Sequence, residues 1–263
     1  MTSGFRPETL VAIEAVKQAF AVLPRGIAAV DVSHKEGRDV VTSADLAVED
    51  SIRRLLAVRS GVPVLGEERG GPPGAARSPH WLVDPICGTR NFVSRIPLYC
   101  VNLALVERGD VTVAVVGDPS TGGVDVAERE QGAWSLRDGA RHRLATTDAS
   151  RTIVVEDGKS KGRRREQAAL FTAAAIRADR WDFRSLGTTL ASPYLAAGRV
   201  AAYVVFCVSA IHSAAGSLLV TEAGGTISDV EGHPWTLDSD SFVGSANPHL
   251  HGELLDLVRL ARA

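Results

Sequence analysis

Cysteine is scarce in this chain: three thiols, Cys87, Cys100 and Cys207, in 263 residues. That number is too small and too odd for the disulfide framework of a small secreted domain. Long apolar runs are missing as well. No stretch approaches the ~20 residues that cross a bilayer, and the opening MTSGFRPETL lacks the apolar core of a secretory signal. Charge is nearly balanced, with 29 Lys and Arg against 31 Asp and Glu. A formal charge of -2 provides no general field for nucleic acid or an anionic membrane surface. No long repeat or low-complexity tract interrupts the chain. These absences lead us to expect a cytoplasmic protein with neither nucleic-acid nor membrane partners. What is present is ordinary for a packed fold: 45% hydrophobic and 23% charged residues, enough for a large core in one domain or two fused lobes.

The most informative stretch is HWLVDPICGTRNFVSRIP, residues 80–97. Trp81-Leu82-Val83 has the apolar run of a buried strand, and it leads straight into Asp84-Pro85. A carboxylate at the carboxyl end of a buried strand stands where open α/β sheets hold their ligands. Pro85 has no N–H and is expected to end the ladder. Gly88-Thr89 then allows a tight turn whose backbone N–H groups aim into the same crevice, the usual cradle for phosphate. An acid for a divalent cation and an amide nest for an anion, within six residues, point to metal-assisted phosphoryl chemistry.

Around this stretch the periodicities alternate. Apolar positions at helical spacing (Leu10, Ile13, Val16, Phe20) predict a helix from about Arg6 to Leu23, and Gly26 to Ser33 reads as a turn and a short extended piece. A second helix opens at Thr42, with Asp45 three residues on as a capping box, and runs to about Leu56. Val62–Leu65 is a short strand ending at Gly66-Glu67-Glu68. Leu98–Val106 and Asp110–Val116 form a hairpin about Glu107–Asp110, and the meander continues to Trp134. Asp118 reads as a turn former. After about Asp148 strands and helices alternate, with a basic run at Lys159–Arg165 that reads as a solvated helix face.

Asp84-Pro85-Ile86-Cys87-Gly88-Thr89-Arg90-Asn91-Phe92 resembles the central D-P-[ILV]-D-G-T-x-N-F motif of the inositol monophosphatase family. The segment Asp39–Asp45 resembles its D-x-V-T-x-x-D, Gly66-Glu67-Glu68 its G-E-E, and Arg184–Thr189 its R-x-x-G-S-x-A. Ile211–Gly216 stands where the family reads W-D-x-A-A-G. The resemblance implies an α/β (α+β) fold, a layered αβαβα sandwich. Residues 1–147 would form an N-terminal lobe with a large antiparallel sheet, and 148–263 an α/β lobe completing the site. It also implies a homodimer and Mg²⁺-dependent hydrolysis of a small phosphorylated substrate. In that reading Glu67, Asp84 and the Ile86 carbonyl hold one cation. Asp45 with Thr89 polarises the attacking water, and Gly88, Thr89, Gly187 and Thr188 line the substrate.

Two positions depart from the pattern. The family's second cation uses the equivalents of Asp84, Cys87 and His212, and both residues private to that ion have changed from aspartate. Thiolate and imidazole are poor Mg²⁺ ligands, but with one carboxylate they suit Zn²⁺ or another borderline-soft ion. The second position is therefore expected to be empty or to hold such an ion. Otherwise Cys87 and His212 form a thiol–imidazole pair able to do covalent chemistry, or are a space filler and a helix cap. In either functional reading their side chains are expected within about 3–6 Å, with a lowered Cys87 pKa and ready alkylation. The family's inositol-facing glutamate falls on Val205, which argues for a substrate other than inositol phosphate. A scaffold repurposed for cyclisation, elimination or acyl transfer, and a silent binding protein, are the competing readings.

Overall fold

The structure is a computed structural model and describes residues 4–23, 31–34, 40–77 and 79–260. Asp39 and the turn expected from Gly26 lie outside the described residues. Helix α1 (Pro7–Val22) opens on a proline, whose missing N–H would have had no helical partner there. Strands β1 (Val32–His34) and β2 (Val40–Thr42) pair antiparallel and deliver Thr42 as the N-cap of α2 (Ser43–Arg59).

Strands β3 (Val64–Gly66) and β4 (His80–Cys87) precede the short helix α3 (Thr89–Val93). The meander then runs through β5 (Cys100–Glu107), β6 (Asp110–Asp118), β7 (Gly123–Glu128), β8 (Gly132–Arg137) and β9 (Ala140–Arg143). β3 to β9 form one seven-stranded sheet in sequence order, antiparallel except for the β3–β4 pair. The expected hairpin is present: Arg108 and Gly109 both adopt positive φ, 55° and 85°, as a two-residue primed turn requires.

The remainder is β10 (Thr152–Glu156), α4 (Gly162–Arg177), β11 (Asp182–Arg184), α5 (Ala191–Ala196), β12 (Ala202–Val205) and α6 (Ala210–Glu222). It ends with β13 (Thr226–Ser228), β14 (Phe242–Ser245) and α7 (Pro248–Leu260). Its strands make a mixed five-stranded sheet, ordered β11-β10-β12-β14-β13.

Three apolar interfaces stack these pieces. α1 and α2 cover one face of the large sheet through Val16, Val48, Ile52 and Leu103. α5 and α6 lie between the sheets, joining Val116 and Leu219 on one side and Leu195 and Phe242 on the other. α4 and α7 close the far face of the small sheet over Phe171, Phe206 and Leu254. The result is the expected five-layer αβαβα sandwich, with the carboxyl end of β4 and the start of α6 brought together.

Pro85 does not end its strand. β4 continues to Cys87 through an irregularity in its pairing with β5 between Asp84 and Cys87. The partner on the other edge, β3, pairs only as far as Val83, so the missing N–H of Pro85 leaves no ladder bond unmade on that side. The basic run behaves as a solvated face: Arg164 pairs with Glu231 at 2.8 Å and Asp240 at 3.1 Å.

Candidate active site

Asp84 is fully buried at the end of the apolar part of β4. Its Oδ2 lies 2.7 Å from His212 Nδ1 and 3.4 Å from Asn102 Nδ2, while Oδ1 is buried with no hydrogen-bond donor. The Glu67 carboxyl lies against Asp84, and Glu67 Oε1 is 3.9 Å from His212 Nε2. His212, in the first turn of α6, therefore sits between two carboxylates with its side chain 25% exposed. Burial alone would raise the Asp84 pKa, but the charge and hydrogen bond of His212 hold it below the usual carboxylate range. Burial likewise pulls His212 down, and Asp84 overcomes that, lifting the imidazole well above its ordinary value.

Cys87 completes a triad. The ligand atoms of Asp84, Cys87 and His212 all lie within 4.8 Å of one another, inside the range expected from the sequence. The expected low thiol pKa does not hold. A hydrogen bond with Cys100, burial and the negative charge of Asp84 push the Cys87 thiol well above its ordinary value. A hydrogen bond with His212 lowers it, but these three causes outweigh that contact. Cys87 Sγ also receives the Thr189 hydroxyl at 2.9 Å and its backbone N–H at 3.4 Å.

Asp45 serves as cap and as site residue at once. Its Oδ2 accepts from Thr42 N at 2.8 Å and Thr42 Oγ1 at 2.5 Å, while its N–H donates to Thr42 Oγ1 at 3.3 Å, the reciprocal capping box. Its other oxygen, Oδ1, lies 3.3 Å from the Thr89 hydroxyl, which is also 2.9 Å from the Ile86 carbonyl. Burial pushes the Asp45 carboxyl up to about 6, against the Thr42 hydrogen bonds.

The remaining predicted residues fall on one wall. Gly88 has φ 99°, and a Cβ there would stand 2.9 Å from the Leu98 carbonyl and 3.1 Å from Thr188 Cβ. Only glycine fits where the central motif meets Gly187-Thr188. Thr188 is buried, its hydroxyl bonded to the Cys87 carbonyl at 2.9 Å, so what this segment turns outward is backbone. Val205 is also buried, closed over by the backbone at Gly158.

Four residues important to this geometry were given no role by the sequence. Glu49, fully buried, accepts from the N–H groups of Glu68 at 2.7 Å and Arg69 at 3.1 Å, and a Cβ at Gly66 would collide with it. It lies one helical turn beyond Asp45, which is the signal that could have marked it. Glu156, at the carboxyl end of β10, accepts from Ser185 Oγ, Leu186 N and Gly187 N. Asn91 spans the sheets by donating to the Leu98 and Leu186 carbonyls at 2.8 and 2.7 Å. Thr189 accepts from Asn102 at 2.9 Å while holding Cys87. Asn91 stands in the central motif and Thr189 closes the Arg184–Thr189 segment, though neither was given a role there, and no local pattern marks Glu156.

Comparison with known proteins agrees with this geometry. The chain is 34% identical over 259 residues to an inositol-1-monophosphatase of Mesorhizobium japonicum, covering 95% of each. It is 32% identical over 262 residues to the Nus factor SuhB of Escherichia coli K12, covering 96% of each. Among solved structures, SuhB of Bartonella henselae superposes with a TM-score of 0.87 at 26% identity, over 97% of this chain and 99% of that one. An IMPase of Thermotoga maritima gives 0.85 at 27% identity, over 97% and 98%. A sequence profile of the inositol monophosphatase family matches residues 6–262, and the chain belongs to that family.

Proposed function

We propose that this protein is a metal-dependent phosphatase of a small phosphomonoester other than inositol phosphate. One observation carries the reading. The Asp84 carboxylate, wholly buried, keeps an oxygen without a donor and has a second carboxyl, Glu67, packed against it. His212 meets Oδ2 of Asp84 and leaves Oδ1 bare beside Glu67, which supports a cation there, and hard oxygen donors fit Mg²⁺. Glu67, Asp84 and the Ile86 carbonyl are the residues to hold it.

A divalent cation bound there would polarise the phosphoryl group and make an attacking water more acidic. Thr89 would orient the attacking water, and Asp45 would accept its proton through the Thr89 hydroxyl. The N–H groups about Gly88 and Thr89 receive the phosphate oxygens. Asp84, Cys87 and His212 offer oxygen, sulfur and nitrogen within 4.8 Å, a donor set that suits a softer ion such as Zn²⁺ rather than a second Mg²⁺. Covalent thiol–imidazole chemistry loses support from the same contacts, since the thiol is pushed up and the imidazole is bound to Asp84. Val205, apolar and buried, offers no acceptor to a polyol hydroxyl, so inositol is a poor fit.

A phosphomonoester panel assayed with Mg²⁺, with and without added Zn²⁺, tests this reading alongside the metal content of the purified protein. Turnover of at least one small phosphomonoester and weak turnover of inositol 1-phosphate are expected. No hydrolysis of any member under either condition would remove the phosphatase reading. Efficient inositol 1-phosphate turnover with Mg²⁺ alone would remove its substrate clause.

A further inference from the structure

We propose that Cys87 and Cys100 form a reversible disulfide, a modification that withdraws the Cys87 sulfur from the triad it makes with Asp84 and His212. Three independent features of the fold lead there. Cys87 and Cys100 are Cα partners across the antiparallel β4–β5 pair. Residues opposed in this way have Cα atoms about 4.5–5.5 Å apart, inside the roughly 4.4–6.8 Å that a disulfide spans. Both side chains also enter the same buried cluster, on the α6 side of the large sheet. Finally, the two sulfurs converge on one hydroxyl: Thr189 Oγ1 is 2.9 Å from Cys87 Sγ and 3.6 Å from Cys100 Sγ. Bond formation therefore needs side-chain rotation and no change of register. Cys207 belongs to the segment after β12, in the other sheet, and is not opposed to either.

Access sets the order of events. Cys87 is 8% exposed and borders the site, while Cys100 is sealed at 0%. A hydroperoxide small enough to enter meets Cys87 first. Cys87, whose raised pKa keeps its thiolate fraction small and the step slow, attacks one peroxide oxygen through its sulfur and the O–O bond breaks. The Cys87 proton leaves with the other oxygen, giving cysteine sulfenic acid and water, or an alcohol from an organic peroxide. The Cys100 sulfur then attacks the Cys87 sulfur, the S–O bond breaks, and the hydroxide leaves with the Cys100 proton as a second water. Two thiols and one peroxide become one disulfide and two waters, and a dithiol reverses the step by exchange.

A sulfur in a disulfide is no longer a thiolate ligand. Resting on the soft-ion reading above, the oxidised protein should therefore bind Zn²⁺ at least tenfold more weakly, with recovery under dithiothreitol.

The test treats the full chain with hydrogen peroxide, blocks remaining thiols with N-ethylmaleimide under denaturing conditions, and digests with trypsin without reduction. A species joining peptides 78–90 and 96–108, lighter by two hydrogens and lost on reduction, is the expected result. The C100S variant, altered outside the metal and substrate groups, should give no such species and keep its unoxidised activity. Recovery of Cys87 and Cys100 as maleimide adducts after peroxide would overturn the proposal. So would Cys87 sulfinic acid beside a free Cys100. A mapped bond with Zn²⁺ affinity unchanged would overturn the withdrawal of the sulfur. If the reduced protein binds no Zn²⁺ at all, the soft-ion reading fails, and the mapped peptide alone decides whether the pair closes.

Discussion

Asp45 and Asp84 are both fully buried carboxylates in one site, and they are pushed in opposite directions. Burial raises each. Asp45 is met by the hydroxyl and N–H of Thr42, neutral donors that soften the penalty without removing it, and its carboxyl reaches about 6. Asp84 meets His212 at 2.7 Å, and that charge outweighs burial and holds the acid low. Neutral hydrogen bonds moderate desolvation; a charged partner reverses it. The two acids are thereby suited to different work. In the proposed reading Asp84 is the anion that a cation binds, whereas Asp45, pushed up to about 6, is the proton acceptor.

Exchanging Asp84 for Asn breaks the comparison most severely. The variant keeps the shape but has no charge to offer either cation position, and it leaves His212 without its counter-ion. Mg²⁺ binding measured by calorimetry should vanish, and phosphomonoester turnover should fall by about 10³-fold or more. Near-native Mg²⁺ affinity in D84N would show that Asp84 is not the pivot of the site.

D45N should act on the chemistry and spare the metal. A drop in kcat of roughly 10²–10⁴-fold is expected, the usual worth of a positioned proton acceptor, with Mg²⁺ affinity close to that of the parent. The pH profile sharpens the point. Asp45 ionises at about 6 in the fold, above its model-compound value of 3.8, so the unfolded chain releases this proton first. The stability that protonated Asp45 contributes is fully present below about 4 and is lost as pH rises through about 6. Activity should climb over that same window as the base form appears. D45N should flatten the climb, and an unchanged acid limb in D45N would assign it to another group.

A smaller gain is expected from rebuilding the family's ligands. The double variant C87D/H212D removes the charge that holds Asp84 low and supplies two hard oxygens in its place. Mg²⁺-dependent turnover should rise by about tenfold, a modest part of what a second cation gives a leaving alkoxide. Loss of activity in the double variant would mean that the thiol and imidazole serve the native reaction directly.

The sequence displays the central motif of this site far better than its surroundings. Asp84 and the Gly88-Thr89 turn stand in a short string whose local chemistry is legible, whereas Glu67 and Asp45 read locally as a turn and a helix cap and are marked only through the family resemblance. The layered fold is read through the family resemblance; helical and strand periodicities locate single elements but not the layers they build. What could not be read is held by partners distant in sequence. Glu49 looks like an exposed helix acid until Gly66 is folded against it. The Cys87–Cys100 contact depends on register past an irregular pairing, which no periodicity records. Cys87 itself was misjudged in its acidity: His212 does lower its pKa, as the sequence implied, but the Cys100 contact, burial and the Asp84 charge outweigh it.

Glu156 offers the mildest test of the same contrast, away from any cation. Like Asp45 it is an acid whose pKa burial raises, against neutral donors: Gly187 N at 2.8 Å, Ser185 Oγ at 2.8 Å and Leu186 N at 2.5 Å. No positive charge reverses that shift, so the protein holds this group closer to neutrality than a free glutamate. A neutral isostere should therefore be tolerated. In E156Q the amide oxygen still accepts the Leu186 and Gly187 N–H groups, and only the Ser185 hydroxyl must turn to accept instead of donate. The expected cost is about 1 kcal/mol of stability, one rearranged hydrogen bond. Because the 185–187 backbone faces substrate in the proposed reading, KM should rise a few-fold with kcat nearly unchanged. E156A, which orphans both N–H groups, should cost roughly 2–4 kcal/mol and move KM further. Equal losses in E156Q and E156A would show that the negative charge, and not the acceptor geometry, is what Glu156 provides, and the parallel with Asp45 would fail.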